Sequence, residues 1–209
     1  MQGINIEQGT QEWLDARKGV ITGSRFKDIV TPSKAELSKS SKSYMYELVA
    51  ERMGATVNFY QNEHMQRGNE LEPDARTAYE FVKDATVEQV GICIHDNGMI
   101  GVSPDGLIGE DGGLEIKCPK ETTHISYLDS GELPLIYKPQ VQGSMWVTGR
   151  KWWDFMSYHP DLPPLIIRVF RDDEYISSME KGIIKFSEDM IALEKKLIEK
   201  YIGKQDETH

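Results

Sequence analysis

The chain has 209 residues and a formal net charge of -10 at pH 7, enough length for a sizeable core in a single domain spanning 1–209. No apolar run approaches the roughly 20 residues of a membrane span, and the N-terminus lacks the basic start and apolar centre of a signal peptide, so a cytoplasmic protein with no membrane partner is expected. Its two cysteines, Cys93 and Cys118, lie in apolar strand-like runs and read as reduced thiols, which argues against a disulfide framework, a zinc site and redox chemistry.

Thr10 is a plausible N-cap for a short helix ending near Gly19, with Trp13 and Leu14 facing the core. Val20 to Ser24 then leads into a second helix over Arg25 to Val30. Its free N-terminal amides, the Ser24 hydroxyl and Arg17 can meet at one anion site; simple capping beside a surface arginine would use the same residues. The acidic total argues against nucleic acid, but between Arg17 and Lys42 seven basic residues face two acidic ones. That distribution suits a grip on DNA in one confined place, and equally an ordinary solvated loop.

Thr31 to Ser43 reads as a mobile loop, Ser43 to Met53 as an amphipathic helix carrying Tyr44, Leu48 and Val49, and Asn62 to Lys83 as a helical region interrupted near Pro73. Glu72, beside that proline, is placed to project into a cleft. Thr86 to His95 and Met99 to Val102 have strand character.

The stretch from Val102 to Pro119 holds the chemistry. Apolar residues around Asp105 and Glu115 predict two short strands joined by a turn with Gly109, Gly112 and Gly113. Strand alternation sends Glu115 and Lys117 to one side and Leu114, Ile116 and Cys118 to an apolar layer. If Asp105 faces Glu115 across the hairpin, two carboxylates and an ammonium converge. Two close carboxylates raise each other's pKa unless a cation sits between them, and oxygen donors without histidine favour Mg²⁺ or Mn²⁺. Lys117 is then placed to orient or deprotonate an attacking water, or to balance transition-state charge. The reaction class indicated is metal-assisted phosphodiester hydrolysis, although Asp-Gly turns and Glu-x-Lys strand faces are also common without function.

After Pro119 a polar helical segment runs to about Gly131, and Pro139 to Val147 reads as a helix burying Val141, Met145 and Trp146. Gln140 or Gln142 is placed to hold a phosphate or water, or to bond loop backbone. Lys151 to His159 and Leu165 to Phe170 suit two further strands, and Asp172 to Ile202 a long amphipathic helix. The order predicts an α/β fold with a central mixed β-sheet flanked by helices.

Five ordered blocks, Trp13-x-x-x-Arg17-x-Gly-Val-Ile-Thr-x-Ser24, Gly68-x-x-x-Glu72-x-Asp-Ala-Arg76, Ser103-Pro-Asp-Gly-Leu107, Leu114-Glu-Ile-Lys-Cys-Pro119 and Gln140-Val-Gln-x-Ser-Met-Trp-Val147, resemble the phage-type exonuclease family typified by lambda exonuclease, also described as the YqaJ-like viral recombinase domain. That family lies within the PD-(D/E)xK nuclease superfamily, whose letters are literal here in Pro104-Asp105 and Glu115-Ile116-Lys117. The resemblance implies Asp105, Glu115 and the Ile116 carbonyl as Mg²⁺ ligands, Glu72 as a helix-borne acid near the metals, and Lys117 and Gln140 as catalytic residues. It also implies Arg17 and Ser24 as a pocket for a DNA 5′-phosphate. The activity implied is 5′-to-3′ exonuclease action at duplex DNA ends, by a homotrimeric ring that hands a 3′ single strand to a phage single-strand annealing protein. The competing readings are another PD-(D/E)xK enzyme, such as an endonuclease or RecB-like nuclease, which needs no end pocket, and a non-cleaving DNA-end-binding accessory protein.

Overall fold

The computed structural model describes residues 2–4, 6–55 and 63–203. It contains strands β1 (Gln2–Ile4), β2 (Ile21–Thr22), β3 (Ile92–Ile94), β4 (Ile100–Val102), β5 (Gly106–Ile108), β6 (Gly112–Lys117), β7 (Trp152–Ser157) and β8 (Leu165–Phe170). The helices are α1 (Gln11–Arg17), α2 (Phe26–Ile29), α3 (Ser41–Arg52), α4 (Glu63–Lys83), α5 (Glu121–Ser130), α6 (Lys138–Thr148) and α7 (Asp173–Tyr201). The expected mixed sheet flanked by helices is present, with its strands divided into two mixed four-stranded sheets, ordered β1-β3-β4-β2 and β5-β6-β7-β8. In the second, β6 runs parallel to β7 and antiparallel to β5. A parallel pair needs a long crossover, here made by α5 and α6.

Layering follows from strand alternation. Leu114 and Ile116 of β6 pack with Ala75 and Tyr79 of α4, whereas Leu107 and Trp153 pack with Val141 and Met145 of α6. The largest cluster joins α2, α3 and α7 to the first sheet through Phe26, Tyr44, Ile100 and Met179. A Cβ at Gly113 would stand 2.2 Å from the Trp153 ring, so only glycine lets the indole lie on the strand.

Several expectations are revised. Helix α4 runs unbroken through Pro73; the proline removes one backbone donor, but packing of Ala75 and Tyr79 holds the turns that follow it. Asn62, its expected start, lies outside the described residues. The run from Thr86 to His95 is not one strand: Glu88 exchanges two backbone bonds of 2.8 Å with Leu107 in the second sheet, while Ile92–Ile94 belongs to the first. The segment after Thr31 is pinned by a bridge between Val30 and Leu37 and by the Thr31 N–H on the Glu36 carbonyl at 2.7 Å. Trp13 is only partly buried, because a seven-residue helix lies at the surface and the indole N–H needs polar acceptors.

Cys93 and Cys118 are free thiols, the first buried and the second partly so. Among the described residues no helix is long and apolar enough to cross a membrane.

Candidate active site

The turn into β5 and the central part of β6 place the two predicted acids side by side. Gly106 pairs with Leu114, so Asp105, one residue earlier, reaches the next position of β6. Its Oδ2 accepts the Ile116 N–H at 2.6 Å. Glu115 is 2 % exposed, and its Oε1 accepts from the Lys117 ammonium and, at 2.6 Å, from Nε2 of Gln140 on α6. Glu72 comes from α4 and accepts from the Arg76 guanidinium one turn on; Arg76 Nε also donates to the Asp105 carbonyl at 3.3 Å. Arg76 therefore ties the helix acid to the Asp105 turn. Its spacing of four from Glu72 is a helical pairing visible in the sequence, but its bond to the Asp105 backbone is not.

The electrostatics show an excess of negative charge. Burial, reinforced by Asp105 and opposed by Arg76 and Lys117, pushes Glu72 up to about 7. Burial also pushes Glu115 up to about 7, opposed chiefly by Lys117 and reinforced by Asp105. Asp105 is raised by burial despite Lys117, the Ile116 N–H and Arg76. Burial works against the Lys117 charge, yet Glu115 and Asp105 outweigh it and hold the ammonium above its usual range. The Cys118 thiol, pushed up to about 12 by burial, Asp105 and Glu72, stays protonated and unreactive.

A cavity of about 20 Å³ opens beside this cluster, lined by Arg17, Ser24, Ser103, Gln140 and Ser144 among others. It unites the two residues expected to bind an anion. The Arg17 guanidinium lies 4.1 Å over the Trp13 ring and donates to Ser103 Oγ at 3.1 Å. Burial lowers it to about 10, so it remains charged at neutral pH. Among the described residues no carboxylate faces it, and a partly desolvated cation without a counter-charge favours an anion. Trp13 Nε1 donates to the same Ser103 Oγ at 3.2 Å, which leaves the Ser103 hydroxyl proton to be given elsewhere. The helix expected to start at Arg25 begins instead as a 3₁₀ turn over Gly23–Arg25 followed by the four-residue α2, so the cavity's charge comes from Arg17 rather than from a helix terminus. Trp13, read as facing the core, lies under the Arg17 guanidinium, and Ser103, a motif letter without a role, accepts from both; only the fold brings α1 against the end of β4.

Gln140 stands in the shared wall, lining the cavity while bonding Glu115. Gln142 does not join it. It is 2 % exposed, donates to the Phe170 carbonyl at 2.9 Å and accepts the Asp172 N–H at 2.9 Å, and so bonds the backbone where β8 meets α7.

An acid at the start of one strand, Glu-x-Lys on its neighbour and mixed sheets between helices define the PD-(D/E)xK nuclease class of fold. The chain belongs to the YqaJ-like viral recombinase domain family, whose model matches residues 12–151. It is 38% identical to an alkaline exonuclease, LHK-Exo, from Laribacter hongkongensis, with a TM-score of 0.83 over 91% of this chain and 97% of that one. The structure of LHK-Exo in complex with dAMP matches over the same shares with a TM-score of 0.84. A phage related exonuclease from Haemophilus somnus 129PT, 17% identical, shares the fold with a TM-score of 0.64 over 85% of this chain and 96% of its own. A comparison with curated proteins finds no match. These likenesses support a nuclease role in recombination.

Proposed function

We propose that the protein is a Mg²⁺-dependent 5′-to-3′ exonuclease that works from the ends of duplex DNA, releases nucleoside 5′-monophosphates and leaves a 3′ single strand. The observation that carries this reading is Gln140, whose amide joins the Glu115 carboxylate to the cavity lined by the Arg17 guanidinium, which no carboxylate among the described residues faces. An anion site one residue from the acidic set suits a strand held by its terminal phosphate with its first internal phosphodiester at the acids. LHK-Exo has been seen with dAMP, the kind of product this reaction releases.

The donor set fits a hard divalent cation: one buried and two partly buried carboxylates faced by too few positive charges, with Glu72 and Glu115 displaced towards neutrality. Among the described residues no three His, Cys, Asp or Glu side chains form a ready-made metal cage, and Mg²⁺, which takes one or two carboxylates with water and substrate oxygens, does not require one. Asp105, Glu115 and the Ile116 carbonyl would hold it, with Glu72 at the edge; Mn²⁺ suits the same oxygens. When bound, the cation supplies charge stabilisation at the scissile phosphate.

The residues divide the remaining work. Arg17, Ser24 and the Ser103 hydroxyl hold the 5′-phosphate, while Gln140 keeps Glu115 oriented. Lys117, held as an ammonium by its acidic neighbours, orients the attacking water and offsets the charge developing on the phosphoryl oxygens. Water attacks phosphorus, the P–O3′ bond breaks, and the terminal nucleotide leaves with a 3′-hydroxyl. The shortened strand keeps a 5′-phosphate, the ligand for the next cycle. On the same reading three copies form a ring around the duplex, and a phage single-strand annealing protein takes up the exposed strand; the recombinase character of the family supports the second.

Strand-specific labels on linear duplex DNA test the reaction. With Mg²⁺ the 5′-ended strand shortens to mononucleotides, and EDTA or Asp105→Asn lowers the rate by about 10³ or more. Internal cuts in circular DNA would point to an endonuclease, and binding without cleavage to an accessory protein.

A further inference from the structure

The Lys117 ammonium has a second neighbour that the proposed roles leave unassigned. Its Nζ lies over the Tyr137 ring, 5.4 Å from the ring centre, inside the roughly 6 Å over which a cation is drawn to an aromatic face. Tyr137 ends the 3₁₀ turn Leu135–Tyr137 and immediately precedes α6, whose first turn carries Gln140. The start of α6 therefore brackets the Glu-x-Lys pair. Gln140 bonds the carboxylate, and Tyr137 faces the ammonium.

The ring is seated independently of the ion it meets. Its centre lies 5.2 Å from that of Phe155, and Tyr127 of α5 meets it edge-on at 6.5 Å. Phe155 is fully buried and is the β7 residue paired with Glu115, so the strand pair that fixes the acid also fixes the ring. Lys138, next in sequence, does not compete for it: its ammonium donates to Asp172 at 3.0 Å and lies over the Tyr175 ring. Aromatic clusters fill space in many cores, but Tyr137 is only partly buried and turns one face to a charge.

The need for such a seat follows from the carboxylate. Lys117 and Gln140 both donate to the same oxygen, Glu115 Oε1. A carboxylate that also serves a divalent cation holds a neighbouring ammonium less firmly, because the metal is the larger local charge. Lysine's flexible stem would then let the ammonium swing into water. An aromatic face attracts the ammonium through its quadrupole and offers the metal no oxygen. We propose that Tyr137 is a positioning residue, which keeps the Lys117 ammonium directed at the acids while Glu115 serves the cation. This rests on the exonuclease reading and adds to it the group that holds the lysine.

Two measurements test it. In single-turnover cleavage of 5′-phosphorylated duplexes with Mg²⁺, Tyr137→Leu, which keeps apolar bulk without a π face, lowers the maximal rate about tenfold and leaves the half-saturating concentration unchanged. Tyr137→Phe, which keeps the ring, stays within about twofold of wild type. The second measurement needs no metal: denaturant unfolding in EDTA of wild type, Tyr137→Leu, Lys117→Gln and the double variant. Tyr137→Leu lowers the midpoint more beside Lys117 than in the Lys117→Gln background, because only there does the lost ring face a cation. An undiminished rate in Tyr137→Leu, an equal loss in Tyr137→Phe, or midpoint shifts that simply add would overturn the proposal. Coupled midpoints in a protein without Mg²⁺-dependent cleavage would instead overturn the exonuclease reading and leave the lysine seat standing.

Discussion

Glu115 accepts from Lys117 and from Gln140, yet burial still displaces it towards neutrality. In the metal-free protein this makes the acids a source of instability with a definite sign. A carboxyl raised from its usual range to about 7 in the folded state binds a proton that the unfolded chain has already released. Folding stability at Glu72 and Glu115 is therefore complete below the unfolded pKa and is lost as pH rises through about 7. We expect Glu115→Gln, measured by denaturant unfolding in EDTA, to be more stable than wild type near pH 8 by on the order of 1–2 kcal/mol and nearly equal to it near pH 5. The same substitution is expected to remove cleavage. A variant less stable than wild type at both pH values would mean that the Lys117 and Gln140 bonds outweigh the burial of charge.

At the scale of elements, α6 carries Gln140 to the site and owes its seat to a close approach. A Cβ at Gly143 would stand 2.3 Å from two Phe26 ring carbons. Helix propensity alone would make Gly143→Ala stabilising by up to about 1 kcal/mol; overpacking against a fully buried ring costs about 1–3 kcal/mol. Packing should win, so the variant is expected to unfold at lower denaturant, and an unchanged midpoint would show that Phe26 moves aside freely. Much of this architecture was legible in the sequence, because α6, α7 and the hairpin of β5 and β6 are announced by period, caps and glycines. Asp172, read as the first residue of the last helix, is its N-cap and accepts the Tyr175 N–H at 3.0 Å. Less legible were features decided by distant contacts. Pro73 reads as a break because local chemistry removes a bond, whereas packing of Ala75 and Tyr79 on β6 carries the helix through. The run from Thr86 to His95 reads as one strand because nothing local says that Glu88 and Ile92 serve different sheets. Among the site residues, Asp105, Glu115 and Lys117 follow from their spacing, while the meeting of Arg17 with Ser103 and Gln140 depends on three elements far apart in the chain.

For the whole molecule, the acidic total conceals how its positive charge is spent. Arg25, in the basic stretch, is paired with Asp28 and Glu47, and Lys42 lies beside the Tyr46 ring. Arg17 is instead turned inward, seated on Trp13 and bonded to Ser103. A net charge of -10 leaves little general attraction for DNA, so recognition should depend on a few placed cations and on the strand terminus. The acids and the Arg17 cavity form one apparatus only if Gln140 marks the length of a single nucleotide between them. The most direct test compares degradation of linear duplexes bearing a 5′-phosphate or a 5′-hydroxyl, by wild type and by Arg17→Ala, in Mg²⁺. Coupling between the acids and the Arg17 cavity requires that wild type favour the phosphorylated end by at least about tenfold, and that Arg17→Ala slow that substrate until the preference is gone. Equal rates on both ends by wild type, or a preference that survives loss of Arg17, would contradict it.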